Sequence, residues 1–426
     1  MIIHQPTADG LPPHPTVPFR IDAATRRVSI DARNPAFFQD PYPAFEAIRA
    51  EMPRFFWEEY GLWCFVNADD VHALFRDKRF GREILHLATR EELGLPEVPE
   101  RLKPFTDVDK LSMLDREPPA HTRLRTLVNR AFVSRQVERL RPRIADLANE
   151  LIDRFEGAGE VDLIEAFATP IPVIVIAEML GVPTSRAGDL LDWSHKMVAM
   201  YQFGRTRATE DAAVAAVQDF VAYLKEVVAE RRKAPADDLV STLIAAEEQG
   251  DRLTEDELIA TIILLLNAGH EATVHAIGNG VKAILETGLD PAAIFATEDS
   301  VAATSEECLR FDPPLHFFSR YALEDLDYAG ISLKKGDSVG LVLGAANRDP
   351  ARYVDAARFD PDRPALAHFG FGGGIHFCIG APLARLELQV ALPILFSRLP
   401  GLRIASPPSY RDSYHFHGLE ALHLAW

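Results

Sequence analysis

The stretch from Thr254 to Glu286 restricts the possible folds of this chain more than any other. Thr254 and Glu257 stand in capping-box relation, and the residues after them are apolar on almost every face from Ile259 to Leu266. A helix with no polar face has no surface to lie on, so the pattern predicts a helix over 254–286 that crosses the interior of a large body. Its middle departs from that logic, because Asn267, Ala268, Gly269, His270 and Glu271 place polar groups where burial is costly. Either backbone and water satisfy a polar kink there, or these groups do chemistry; the helix alone leaves both open.

Helical periodicity recurs over 41–50, 69–75, 121–132, 139–155, 171–180, 213–232 and 304–311, the last stopped by Asp312-Pro313-Pro314. Alternation over 54–66 reads as a hairpin, and 317–343 reads as strands broken at Tyr328-Ala-Gly330 and Lys335-Gly-Asp337, so two small sheets are expected. Residues 84–110 lack a clean period and suggest a long loop with helical turns, of the kind that borders a binding site. No linker, low-complexity tract or repeat divides the 426 residues. One domain over 1–426 follows, mainly α with small β-sheets (α+β). Its first 35 residues, Pro-rich from Pro6 to Pro18, are expected to form a largely irregular arm.

Lysine and arginine total 45 against 63 aspartates and glutamates, and a net charge of −18 argues against nucleic acid or an anionic membrane as partner. No basic start followed by an apolar stretch marks a secretory signal, and the longest apolar runs, 170–180 and 262–266, fall short of the roughly 20 residues of a membrane span. Three scattered cysteines, Cys64, Cys308 and Cys378, cannot build a disulfide framework. These features predict a soluble, cytoplasmic monomer with a thiol available for chemistry.

That thiol is best placed at Cys378. The stretch Phe369-Gly-Phe-Gly-Gly-Gly-Ile-His-Phe-Cys378-Ile-Gly380 runs into an apolar-periodic helix over 381–396 with Pro382 in its first turn. Glycines at 372, 373 and 374 clear side chains from a backbone that must lie against something flat, and a helix N-terminus favours a thiolate over a thiol. Such a thiolate could bind a metal or act as a nucleophile, and a buried structural cysteine in a tight turn remains the plain alternative.

The same stretch resembles the cysteine loop of the cytochrome P450 family, Phe-Gly-x-Gly-x-His-x-Cys-x-Gly, at Phe371, Gly372, Gly374, His376, Cys378 and Gly380. The resemblance runs in order from Asp40-Pro-Tyr-Pro43 to the closing Gly418-Leu-Glu-Ala-Leu-His-Leu. It implies a fold with haem b buried between the long central helix and the cysteine loop, with Cys378 as the iron's axial ligand. Matched residue by residue, His121, Arg125, Arg320 and His376 would hold the propionates, with Gly372, Gly380 and Ala268 also against the cofactor. Glu307 and Arg310, with Arg363, would support the fold on the cysteine side, although an i, i+3 pair is by itself a common helix salt bridge.

Ala268-Gly-His-Glu-Ala-Thr273 is similar to the family's Ala-Gly-x-acid-Thr-Thr, which makes Gly269 an opening for dioxygen and Glu271 the acid of a proton relay. The usual alcohol position holds Ala272. Thr273 is one residue later, a rotation of about 100° on a helix, and cannot take over without local distortion. Water or a substrate hydroxyl is expected to complete the relay. The family's topology would line a hydrophobic substrate pocket with parts of 84–105, 197–203, 263–272, 314–318 and 414–416, including Leu264, Asn267, Ala268, Leu315, His316, Phe317 and Tyr414, with His316, Asn267 or Tyr201 orienting a polar group. Electrons would come from NAD(P)H through a reductase and an acidic ferredoxin docked on Arg123, Arg130, Arg135 and Arg385. Two other readings stay open: a haem-binding carrier or sensor with little turnover, and a cysteine-nucleophile hydrolase. For the latter Cys378 and His376, two apart on a loop, are poorly placed.

Overall fold

The computed structural model describes residues 19–426 apart from 130, 131, 133, 203, 204, 249–252, 365 and 366; the Pro6–Pro18 segment, Phe203 and Arg130 therefore lie outside the described residues. The central helix is Glu255–Thr287, 33 residues long. The Thr254 hydroxyl accepts from the Glu257 amide at 3.2 Å while the Glu257 carboxylate accepts from the Thr254 amide at 3.0 Å, which completes the capping box. Its far end is closed by Gly288 in the left-handed region, φ 66°. By length and apolarity this helix could cross a membrane, yet 72% of its most apolar window is buried inside the protein.

What buries it is a shell of helices, chiefly Pro170–Leu180, Ala187–Val198, Arg207–Lys233, Glu298–Phe311 and Ala381–Arg398. The third of these starts at Arg207, ahead of the expected 213, because the Thr206 side chain caps it. Glu298–Phe311 likewise starts earlier than 304, on a capping box at Thr297 and Ser300. The helices Ala187–Val198 and Leu239–Glu248 were not expected from periodicity.

The β structure departs from the expected pair of small sheets. The hairpin Arg54–Trp57/Leu62–Phe65 and the strands Phe317–Ala322 and Ser338–Val342 belong to one seven-stranded sheet, joined where Val339 pairs in parallel with Trp63. Parallel pairing across so long a separation carries no local signature. The same sheet corrects the irregular arm: Phe19–Asp22 and Arg27–Ile30 form an antiparallel pair at its edge. Arg27-Val-Ser-Ile30 alternates, and Val28 and Ile30 are fully buried, so this short segment is fixed by what it covers. A smaller sheet orders Arg403–Ile404, His423–Ala425 and Glu160–Asp162.

Beneath the cysteine side lies a buried ionic cluster. Arg310 donates to both Glu307 oxygens at 2.7 Å, and its remaining donors reach the carbonyls of Asn347, Ala356 and Arg358. Glu307 also accepts from the Asp360 amide at 2.7 Å, and Arg363 stands 3.7 Å away, spending its donors on the carbonyls of Val354, Asp355 and Arg358. Cys308, between Glu307 and Leu309, is packed in the core. Glu307→Ala would leave Arg310 buried without its counter-charge, and should destabilise the protein by about 3–5 kcal/mol, read from denaturant unfolding; a change below about 1 kcal/mol would contradict this account of the cluster.

Candidate active site

The cysteine loop is shaped by contacts a side chain would forbid. Gly372 and Gly374 adopt φ 66° and 68°, and a Cβ on Gly374 would stand 1.9 Å from the Phe75 carbonyl oxygen. Loop and helix Ala68–Leu74 therefore meet backbone to backbone. The Cys378 amide donates to the Phe371 carbonyl at 3.0 Å, and the helix Ala381–Arg398 begins immediately after Gly380. Cys378 has accessible surface, yet protein surrounds it, because that surface is cavity wall. Burial pushes its thiol up, against hydrogen bonds from the Gly380 and Ala381 amides and the charges of Arg125 and Arg385. The expectation that the helix start favours the thiolate holds in direction only, since burial outweighs it. A cation coordinated by the sulfur would reverse that balance.

The cavity is about 570 Å³, within the usual range for small-molecule sites. Phe371, Gly372, Phe377, Cys378 and Gly380 form one wall, and the central helix forms the wall opposite. The helix is uninterrupted there, and its accessible residues Leu264, Asn267, Ala268 and Ala272 recur at i, i+3, i+4 and i+8 on an otherwise buried rod. Ala272 thus faces the cavity, and the buried Thr273 lies beside the stripe. Gly269 also lines the cavity, but a Cβ there would meet Ile176 Cγ1 at 2.8 Å, so packing against Pro170–Leu180 alone requires glycine. Asn267 Oδ1 is buried with no hydrogen-bond partner.

Glu271 reaches the cavity edge but is held by histidines. Its carboxylate lies 3.2 Å from His195 Nε2, 3.5 Å from His270 Nε2 and 3.6 Å from His275 Nε2. Burial works to raise its pKa, yet the hydrogen bonds from His195 and His275 prevail and hold it well below the usual carboxylate range.

Basic residues gather at one edge. His121 and His376 place their ring centroids 4.4 Å apart, Arg125 donates to the Phe377 carbonyl at 2.5 Å, and all three line the cavity. Burial, with His376 and Arg125 alongside, pulls His121 down to about 4, so it is a neutral hydrogen-bonding group. His376 Nε2 sits 3.1 Å from Glu117. Arg320 lies behind this edge, its guanidinium against Phe75 and Phe318 and its pKa lowered by burial to about 9. Arg82 does line the cavity, with Nε buried and unpartnered, one nitrogen on Asp115 at 2.5 Å and another on the Ser319 hydroxyl at 3.2 Å. No pattern around Arg82 marks it in the sequence; the pairing of Phe80 with Ala322 brings it here.

Two expected pocket residues belong to the core instead. His316 is fully buried, 3.2 Å from the Tyr42 hydroxyl and beside Asp312, and Tyr414 packs among Phe37, Phe45 and Trp57. Leu315, Phe317, Phe318 and Ser319 line the cavity, while His316, just ahead of the strand Phe317–Ala322, points into the core. His415 and Phe416 supply the lining expected from Tyr414. Tyr201 lines the opening and donates to Asp109 at 2.5 Å, a carboxyl that burial raises to about 6. The expected basic face is narrower as well: Arg123 is paired with Glu257 at 2.5 Å and Arg385 with Glu306 at 2.5 Å, which leaves Arg135 exposed on Ser134–Glu138.

The family model described as Cytochrome P450 matches residues 102–286 and 301–400. Cytochrome P450 107B1 of Saccharopolyspora erythraea is 40% identical over 393 residues, covering 91% of this chain and 95% of that protein. The mycinamicin IV hydroxylase/epoxidase of Micromonospora griseorubida is 38% identical, with 81% and 84% covered. The crystal structure of Mycobacterium smegmatis CYP164A2 in its ligand-free state superposes with a TM-score of 0.83 at 38% identity, over 93% of this chain and 98% of that one. Gly374→Ala is expected to cost at least about 1–2 kcal/mol from the left-handed backbone alone, with more from the Phe75 collision; wild-type unfolding and wild-type ligand spectra in that variant would contradict the loop geometry given above.

Proposed function

The chain belongs to the cytochrome P450 family, and on that footing we propose that it is a monooxygenase hydroxylating or epoxidising a hydrophobic small molecule. The observation that carries this reading is the single cavity with Cys378 on one wall, the Leu264–Ala272 stripe on the other and basic residues at the edge. Family membership brings a haem cofactor and electrons from external redox partners. The residues present fit that group: a sulfur whose thiolate is disfavoured without a cation, a loop stripped of side chains, and the unpartnered Arg82 Nε.

Cys378 would be the axial ligand, with His121, Arg125, His376 and Arg82 at the propionates and Arg320 as a charge behind them. Gly372, Gly380 and Ala268 would lie against its faces. The haem supplies oxygen activation, and a thiolate ligand favours it by donating electron density. Haem b suits a chain with no Cys-x-x-Cys-His attachment pattern. Glu271 keeps an ionised carboxylate at the cavity edge, a weak base that would pass a proton on and not hold it. Ala272 carries no hydroxyl into the cavity, and Thr273, which borders the cavity, sits about 100° round the helix from it, so water or a substrate hydroxyl completes the path. Glu307, Arg310 and Arg363 hold the polypeptide beneath the cysteine loop.

The apolar walls, with Leu264, Leu315, Phe317 and Phe416, suit a hydrophobic substrate, and Asn267 or the Tyr201–Asp109 pair would orient a polar group on it. Electrons come from NAD(P)H through a ferredoxin reductase and an acidic ferredoxin, docking near Arg135 and the exposed Ile375 of the cysteine loop. Three free cysteines suit a reducing, cytoplasmic setting. The reduced protein should give the carbon monoxide difference band of a haem thiolate, and Cys378→Ser should abolish it; a band that persists in the variant sinks the assignment. Ala272→Thr should alter the coupling of electron consumption to product with the natural substrate. Unchanged coupling would remove the case for a water- or substrate-assisted path, and tight ligand binding without product would favour a carrier.

A further inference from the structure

The histidines around Glu271 exceed what a proton-handling carboxylate needs. His270 Nδ1 lies 2.7 Å from the Leu266 carbonyl oxygen, and an acceptor there requires that nitrogen to carry the proton. In the neutral imidazole His270 Nε2 is therefore a lone pair. It is buried without a hydrogen-bond partner and faces the Glu271 carboxylate at 3.5 Å. Lone pair against carboxylate is repulsive unless something positive lies between them. On the other side stands His195 Nε2, 3.2 Å from the same oxygen.

These spacings suit one ion. Donors bound at roughly 2.1 Å around a tetrahedral centre stand about 3.4 Å apart. The nitrogens of His195 and His270 and a Glu271 oxygen all lie within 4.8 Å of one another. His275 Nε2, 3.6 Å from the other Glu271 oxygen, orients the carboxylate from behind. The Leu266 carbonyl does the same for His270, the outer support that metal-binding imidazoles characteristically have. With 42% of its side chain exposed, His195 gives an ion a way in. The other histidine–carboxylate cluster, Asp312, His316 and His417, lacks these features: hydroxyls of Tyr42 and Tyr410 already donate to Asp312 at 2.6 Å, and all three residues are buried.

We propose that His195, His270 and Glu271 bind a single divalent ion of the zinc type, clamping the helix Ala187–Val198 to the central helix and withdrawing the Glu271 carboxylate from proton transfer. Two imidazoles and one carboxylate with a fourth position open are a donor set for zinc rather than for calcium or magnesium, which prefer oxygen. The withdrawal of Glu271 rests on the role proposed for it above; the site does not. Such an ion would act as a reversible brake.

The test uses the haem-loaded protein, stripped of loose metal by dialysis against a chelator and titrated with zinc in competition with a chromogenic chelator. One equivalent should bind, and His195→Ala, a change at the surface, should weaken it at least about tenfold. His270→Gln should do the same while retaining bulk in the core. X-ray absorption at the zinc edge should show two imidazoles and one carboxylate oxygen at roughly 2.0–2.2 Å. Zinc should inhibit product formation, with the inhibition constant raised about tenfold in His195→Ala relative to that variant's own metal-free rate. Equal affinity in wild type and both variants, or no saturable binding, overturns the site. Zinc that binds with the stated dependence and leaves turnover unchanged overturns the brake. The chelator competition needs no turnover, so failure of the monooxygenase reading would show separately as absent product.

Discussion

Burial of the central helix on nearly all its faces sets the terms for everything around it. A rod of 33 residues with so few polar side chains can be covered only by a shell of other helices, and that shell fixes where a gap can open. The gap falls along Leu264, Asn267, Ala268 and Ala272, which keep accessible surface against the cavity. Gly269 shows how tightly the shell is drawn, because a single added methyl group would strike Ile176. The cavity is what remains when packing is otherwise complete.

Charge follows the same division between filled and open space. In the filled interior the main ionic clusters are answered: Arg310 by Glu307 and three carbonyls, Asp312 by two tyrosines and two histidines. Where it borders the cavity, groups are left short of partners, as at Arg82 Nε and Asn267 Oδ1. Unsatisfied buried groups cost stability, so those left at the cavity wall suit a guest that would complete them. The Cys378 thiol, disfavoured as an anion by burial, belongs with them.

Much of this was legible from residues alone. The capping box, the all-round apolar helix and the glycine-flanked cysteine are local patterns with local causes, and each has the form its spacing implied. What escaped depends on contacts between distant segments. The hairpin at residues 19–30 is fixed by its pairing with Arg27–Val28 partners Phe56 and Trp57, and Arg82 enters the cavity edge through the pairing of Phe80 with Ala322. His316 lies before the strand, and its turn into the core toward Tyr42 and Asp312 depends on contacts with distant segments. Glu257 and Glu306 neutralise Arg123 and Arg385 across long separations in sequence, a pairing that no linear pattern reveals.

The seven-stranded sheet has a consequence for how the chain is made. Its middle joint pairs Val339, Gly340 and Leu341 with Trp63, Cys64 and Phe65, so strands from near the start of the chain wait for partners from its last quarter. During synthesis at about 5–20 residues per second, that delay lasts tens of seconds. Through that interval the strand Leu62–Phe65 has an open edge on one side of its hairpin, the kind of surface that recruits other chains. The helices Pro170–Leu180, Ala187–Val198 and Arg207–Lys233 emerge before that partner strand and can form first, from more local contacts. Late closure of this sheet makes the nascent chain most exposed to misassembly just before its cysteine loop is synthesised.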